Sequence, residues 1–230
     1  MKIRSGAVTA AVALALAVST ATPATAAPAT VERTDGSFAS ARFVTTDRIA
    51  CADGSAGQRR IESAYDGDAW VTSGGRGDGA WSVETDVSAV EIVVHDSCTG
   101  EAFTVSGSIL YRGGLPLFPR SAKSVDVHAS GLDVSSPLPT EWYPQGSADL
   151  HFTASSRPTR STERTREISA DGKTFTRNRT TVRSATVSGS IVVSGTGVDY
   201  LDDRNLIAGA SLVDASFGTS TYKVRTRTHR

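Results

Sequence analysis

The stretch FTVSGSILY, Phe103 to Tyr111, alternates apolar and small polar side chains. Phe103, Val105, Ile109 and Tyr111 point to one side, and Thr104, Ser106 and Ser108 to the other. A period of two predicts a half-buried strand with one core face and one wet face. The pattern recurs at Val125 and Val127 against Asp126 and His128, and at Ala148, Leu150 and Phe152 against Asp149 and His151. It returns at Val187, Ile191 and Val193 against Ser188, Ser190 and Ser194. The expected fold class is all-β: a single antiparallel sandwich or flattened barrel of roughly ten strands. Its core is expected to hold Phe43, Val44, Trp81, Ile92, Val94, Phe103, Val105, Ile109, Val127, Leu150, Phe152, Ile191 and Val193.

Outward from these strands, the N-terminus has the layout of an export signal. Lys2 and Arg4 precede an apolar run from Ala7 to Val18, and Ala24-Thr25-Ala26 forms a small-x-small cleavage site. A run of about a dozen residues is short of the roughly 20 needed to cross a bilayer, and no comparable run follows. The expectation is a signal peptide over residues 1–26, cleaved near Ala26, and an extracellular mature chain over 27–230 with no membrane span. That chain is read as one all-β domain, the alternative being two small β lobes split within 113–146. There Pro116, Pro119, Pro137, Pro139 and Pro144 interrupt any ladder. We read the segment as a long crossover containing a strand near Ala122 to Ala129. Cys51 and Cys98 are the two cysteines, and an even pair in an oxidising compartment predicts a disulfide tying an early loop to a core strand.

Charge is balanced overall but not along the chain. Residues 27–156 carry 9 Lys and Arg against 17 Asp and Glu, and residues 157–230 carry 13 against 7. The two parts either complement each other internally or the basic one meets a polyanion. In the last strand Lys223, Arg225, Arg227 and His229 alternate with Tyr222, Val224, Thr226 and Thr228. A fully cationic face predicts a sheet edge, where charge blocks aggregation, or a surface turned to an anion. Ala170-Asp171-Gly172-Lys173 separates two Arg- and Thr-rich runs, and its Asp-Gly pair predicts a type I′ hairpin. The candidate anion contacts are Arg177, Arg179, Lys223, Arg225 and Arg227.

Other motifs carry less. Arg76-Gly77-Asp78 sits in a glycine cluster and reads as a turn between strands. Asp66-Gly67-Asp68 and Asp199 to Asp203 are oxygen-rich but lack calcium-loop spacing, so they read as turn formers. His95, His128, His151 and His229 are scattered, with no HExxH, so no metal or cofactor is expected. Ser220 to Lys223 spells SxxK on a presumed strand rather than at a helix start, and no GxSxG occurs. Glu84, Asp86 and Glu91 read as the wet face of a strand pair rather than as paired catalytic carboxylates. The basic runs hold few aromatics, Phe175 and Tyr222, which gives no specific nucleic-acid signal.

The segments SAKSVDVHASGLDV (121–134), GSADLHFTAS (146–155), RTTVRSATVSGSIVVSG (179–195) and NLIAGASLVDASFGTSTYKVRT (205–226) resemble the second half of a group of uncharacterised secreted actinobacterial β-rich proteins. DSCTGEAFTVSGSI (96–109) is similar to their cysteine-containing strand. The chain departs from them at His151 to Ser155, where that group has a Trp-Thr-Gly-Thr-Gly run. The resemblance implies a secreted β protein and carries no functional residue. The functional expectation is a noncatalytic binding or envelope-associated module whose basic C-terminal strands contact an anionic cell-wall polymer. The alternatives are a secreted hydrolase of unknown class or a secreted hydrolase inhibitor.

Overall fold

The computed structural model describes residues 30–75, 81–100, 102–109, 114–130 and 145–228; for residues 81, 103–109 and 228 it describes the backbone alone. Among the described residues nine antiparallel strands are formed: β1 (Thr30–Ala50), β2 (Ala56–Gly74), β3 (Trp81–Asp96), β4 (Ala102–Ile109), β5 (Ser124–Ser130), β6 (Gln145–Ala154), β7 (Thr159–Ser169), β8 (Gly172–Ser194) and β9 (Ser211–Thr228). They build one sheet in the order β4-β3-β2-β1-β9-β8-β6-β5, with β7 also paired to β8.

Against the roughly ten strands expected, nine are described, and they occupy eight positions because β6 and β7 are two pieces of one interrupted strand. β6 pairs with the second half of β8 and β7 with the first, and the register advances by two residues between them. The break falls on 155–158, where Ser155 N donates to Ser184 O at 2.9 Å and Ser156 Oγ accepts from Ser184 N at 3.0 Å. Pro158 has no N–H to give a ladder at that point. Eight strand positions therefore lie across the sheet.

This sheet curls over on itself instead of stacking on a second one. Tyr65 of β2 lies 6.3 Å from Phe152 of β6, centroid to centroid, although three strands separate β2 from β6 in the sheet order. Phe152 in turn meets the edge of Phe217 of β9 at 6.4 Å. The alternating inner positions fill the resulting half-barrel: Ala39, Ala41 and Phe43, Val90, Ile92 and Val94, Val125 and Val127, Leu150, Ile191 and Val193 are all buried. Each large apolar side chain so placed contributes about 1.5–3 kcal/mol. Tyr65 is fully buried, folds over Gly67, and shares a 3.0 Å hydrogen bond with Ser88 Oγ. Its phenol is pushed up to about 12, first by burial and then by the nearby Asp66, Asp68 and Asp86, against the Ser88 bond.

β9 pairs with β1 only up to Val44 and with β8 only up to Ser184. Beyond those points, residues 195–210 fill the gap between β1 and β8. Bridges Val192 to Asn205 and Val193 to Asp202 hold this segment to β8, while Arg204 makes a two-pronged ion pair with Asp47 of β1 at 2.7 and 3.2 Å. Leu201 and Leu206 are buried beneath it.

Several expectations need correction. β9 is central, between β1 and β8, and not at an edge; its cationic half simply runs past the end of the apolar core. The hairpin between β7 and β8 is present, but Ser169 pairs with Gly172, so its loop is Ala170-Asp171. Neither residue has positive φ, which excludes type I′. The Cys51–Cys98 disulfide exists, with Cα atoms 5.3 Å apart, yet it joins the β1–β2 turn to the β3–β4 turn rather than a loop to a strand. Val44 lies on the outer face and is half-buried. The side chains of Trp81, Phe103, Val105 and Ile109, and Arg76-Gly77-Asp78, lie outside the described residues; Gly74 pairs with Trp81 on either side of that triplet.

Candidate anion-binding cleft

The inner face of the sheet changes character along β1, β9 and β8. At its centre the register aligns Ala39 with Phe217, both buried. Two residues further, Ser37, Thr219 and Thr181 form a buried hydroxyl row. The next row is Asp35, Thr221 and Arg179, and the next is Arg33, Lys223, Arg177 and, on β7, Arg164. Four cations thus stand side by side over four strands, a span of about 14 Å at the usual strand spacing. Like charges directly opposite each other destabilise a sheet.

The loop before β5 roofs the junction between core and cations. Phe118 packs edge-on against Phe217 at 5.8 Å, and its N–H donates to Ser37 Oγ at 3.0 Å. Arg120 Nη2 donates to Thr221 Oγ1 at 2.6 Å, and Thr221 donates onward to Asp35 Oδ1 at 2.8 Å. Asp35 also pairs with Arg33. Burial alone would raise the Asp35 carboxyl, but the hydrogen bonds of Arg33 and Thr221 and the charges of Arg33 and Lys223 hold it below the ordinary range. Between loop and strands lies a cleft of about 480 Å³.

Among the described residues, five cations line the cleft, Arg33, Arg120, Arg177, Arg179 and Lys223, against the single carboxylate of Asp35. No carboxylate of a described residue makes a salt bridge to Arg177, Arg179 or Lys223. At the floor, Thr219 Oγ1 and Arg177 Nε are buried without a hydrogen-bond partner. A buried unsatisfied polar group of this kind costs about 1–3 kcal/mol.

Of the five residues expected to contact an anion, Arg177, Arg179 and Lys223 line the cleft. Arg225 and Arg227 continue the same face of β9 beyond it, opposite Phe175 and Lys173. Arg33, Arg120, Asp35 and Thr219 were not expected. Arg33 and Asp35 reach the site through a pairing that links residues nearly two hundred positions apart, and Arg120 arrives on an irregular loop.

The remaining candidates are dispersed. Asp66 and Asp68 lie on β2 rather than in a loop. Asp202 accepts Thr196 N and Oγ1 at 3.0 and 2.6 Å, and Asp203 has φ 57, which makes both turn formers. Among the described residues no three His, Cys, Asp or Glu side chains gather as a metal site. Glu84 and Asp86 fall on the opposite face of β3 from Glu91, and Asp86 accepts Gly114 N–H at 3.1 Å, so the three do not share one wet face. Ser220 to Lys223 lies on β9. His95 stands 3.9 Å from Glu62, and His229 lies outside the described residues. His128 bonds Asp149 at 3.0 Å and His151 bonds Asp126 at 2.6 Å on the exposed outer face of β5 and β6. Ser188 stands opposite His151 in the register. His151, Asp126 and Ser188 are exposed, and among the described residues the Ser188 hydroxyl is not hydrogen-bonded to the ring.

No family model matches the chain, and no curated protein matches it. Among solved structures, an acetoacetate decarboxylase-like enzyme from Sphingomonas wittichii RW1 aligns over 87% of this chain and 92% of its own at 8% identity, with a TM-score of 0.24. A likeness so slight carries no argument about fold or activity. Among the described residues no helix is long and apolar enough to cross a membrane.

Proposed function

We propose that the protein is a noncatalytic extracellular module that holds an anionic polymer, such as a cell-wall polyanion, on the cationic face of β1, β9, β8 and β7. One observation carries this reading: the row Arg33, Lys223, Arg177 and Arg164 sets like charges beside each other in adjacent strands with one carboxylate, Asp35, to offset them. An arrangement that costs stability in the free protein is relieved when an anion lies across it. Arg225 and Arg227 extend the track beyond the cleft.

Retention of the mature protein on an anionic wall preparation tests the reading. Replacing Arg177, Arg179, Arg225 and Arg227 by Ser is expected to lower retention at least tenfold. Wild-type retention is expected to fall steeply between about 0.05 and 0.5 M salt as screening shortens the reach of each charge. Retention that is unchanged in the fourfold variant would refute the polymer-binding role.

The hydrolase alternative finds its residue types in the row Asp126, His151 and Ser188. A nucleophile must be hydrogen-bonded to its base and face donors for the developing oxyanion. This row lies on an exposed strand face outside any described cleft, so it supports a pair of cross-strand ion contacts.

A further inference from the structure

We infer that the roofed end of the cationic face is a discrete site for one tetrahedral oxyanion, a phosphoryl group, and not merely more charged surface. The inference narrows the polymer-binding reading and rests on it for biological context, but its chemistry stands on the cleft alone.

The first support is the pair of unsatisfied donors. Thr219 is 6% exposed and lines the cleft, and neither its buried hydroxyl nor Arg177 Nε has a protein partner. A sheet that needed only to be filled would place Val at position 219, which is β-branched and of similar size. A hydroxyl there is explained by a ligand oxygen that accepts its proton.

The second support is direction. A carboxylate has two coplanar oxygens and is satisfied by one guanidinium fork. Here donor-bearing residues line the cleft from three elements: Arg120 from the roof, Arg177 and Arg179 from β8, and Lys223 and Thr219 from β9. Donors arriving from separate directions suit oxygens disposed as a tetrahedron. Asp35 is turned away from this role by Arg33 and Thr221, which occupy its oxygens. The volume of about 480 Å³ exceeds a bare phosphate, which leaves room for an organic substituent beside Leu117 and Pro119 at the rim.

The test is calorimetric titration of the mature protein with inorganic phosphate and, at equal ionic strength, with acetate. Phosphate is expected to bind at least tenfold more tightly than acetate. Thr219→Val is expected to lose at least tenfold in phosphate affinity while melting, without phosphate, at the same temperature as wild type or higher. Thr219→Ser, which keeps the hydroxyl, is expected to retain binding and guards against a misfolded Val variant. Equal affinity for the two anions, or equal phosphate affinity in wild type and Thr219→Val, would reduce the cleft to ordinary cationic surface. Phosphate binding with no cation-dependent wall retention would overturn the polymer reading and leave the site. Wall retention without phosphate binding would do the reverse.

Discussion

Tyr65 and Gly67 show how single residues fit the inner face of this sheet together. The phenol folds back across its own strand to reach Ser88, and the space it occupies is the space a side chain at Gly67 would need. A Cβ there would lie 2.8 Å from Tyr65 Cζ. Gly67→Ala is therefore expected to destabilise the protein by about 1–3 kcal/mol, the usual penalty of overpacking, measured as a shift of the urea midpoint. Neither residue reads as a packing position in the sequence, where Gly67 belongs to a run that looks like a turn. Tyr65 is preceded and followed by Ala64 and Asp66, and a glycine at an inner strand position weakens the apolar alternation that marks a strand.

At the level of elements, what was legible depended on how large the inner side chains are. β5, β6 and the second half of β8 announce themselves through Val, Leu, Phe and Ile at every second position. β1 does so weakly, because three of its four buried residues are Ser37, Ala39 and Ala41, with only Phe43 large, and small side chains leave little contrast. Leu201 and Leu206 are buried from an irregular segment that has no period to read. The cations of β8 and β9 were legible as a face, since alternation reports which way a side chain points. Which strand lies next door is set by pairing over long sequence distance, so alternation alone leaves open whether the cationic face of β9 marks an edge or faces an anion, and it does not reveal Arg33. The like-charge row also makes an element-scale prediction. Lys223 stands between Arg33 and Arg177. Lys223→Thr is expected to raise the thermal midpoint at low salt, by an amount equivalent to a few tenths to about 1 kcal/mol, and the gain is expected to shrink as salt is added.

For the molecule as a whole, specific contacts such as Arg204 with Asp47 join the chain's opposite charge halves, while Arg177, Arg179 and Lys223 face the cleft. Arg204 holds the Asp47 carboxyl below its usual range by a hydrogen bond and by charge, against the opposing effect of burial, with Arg59 adding to the lowering. Asp96 is lowered first by the Cys98 backbone N–H and also by Arg59. Asp35 is lowered as described. A carboxylate with a depressed folded-state pKa contributes stability that is fully present above its unfolded value and is lost as pH falls through the folded one. Stability set by these three groups is thus expected to be level above about pH 5 and to decline below about pH 4. In chemical denaturation across that range, Asp47→Asn is expected to flatten the decline, and an unaltered acid limb would remove Asp47 from the account.

The position of β9 has a consequence for cooperativity. β1 to β4 and β5 to β8 are each contiguous in the chain and each can pair internally, but every described ladder between the two groups runs through residues 211–228. Without those residues β1 and β8 would both expose an unpaired edge, and the two groups would share no ladder along which to lock. A variant lacking residues 211–228 is accordingly expected to unfold over a broader denaturant range than the full chain, with β1 to β4 and β5 to β8 melting separately. One strand makes the two groups a single unit.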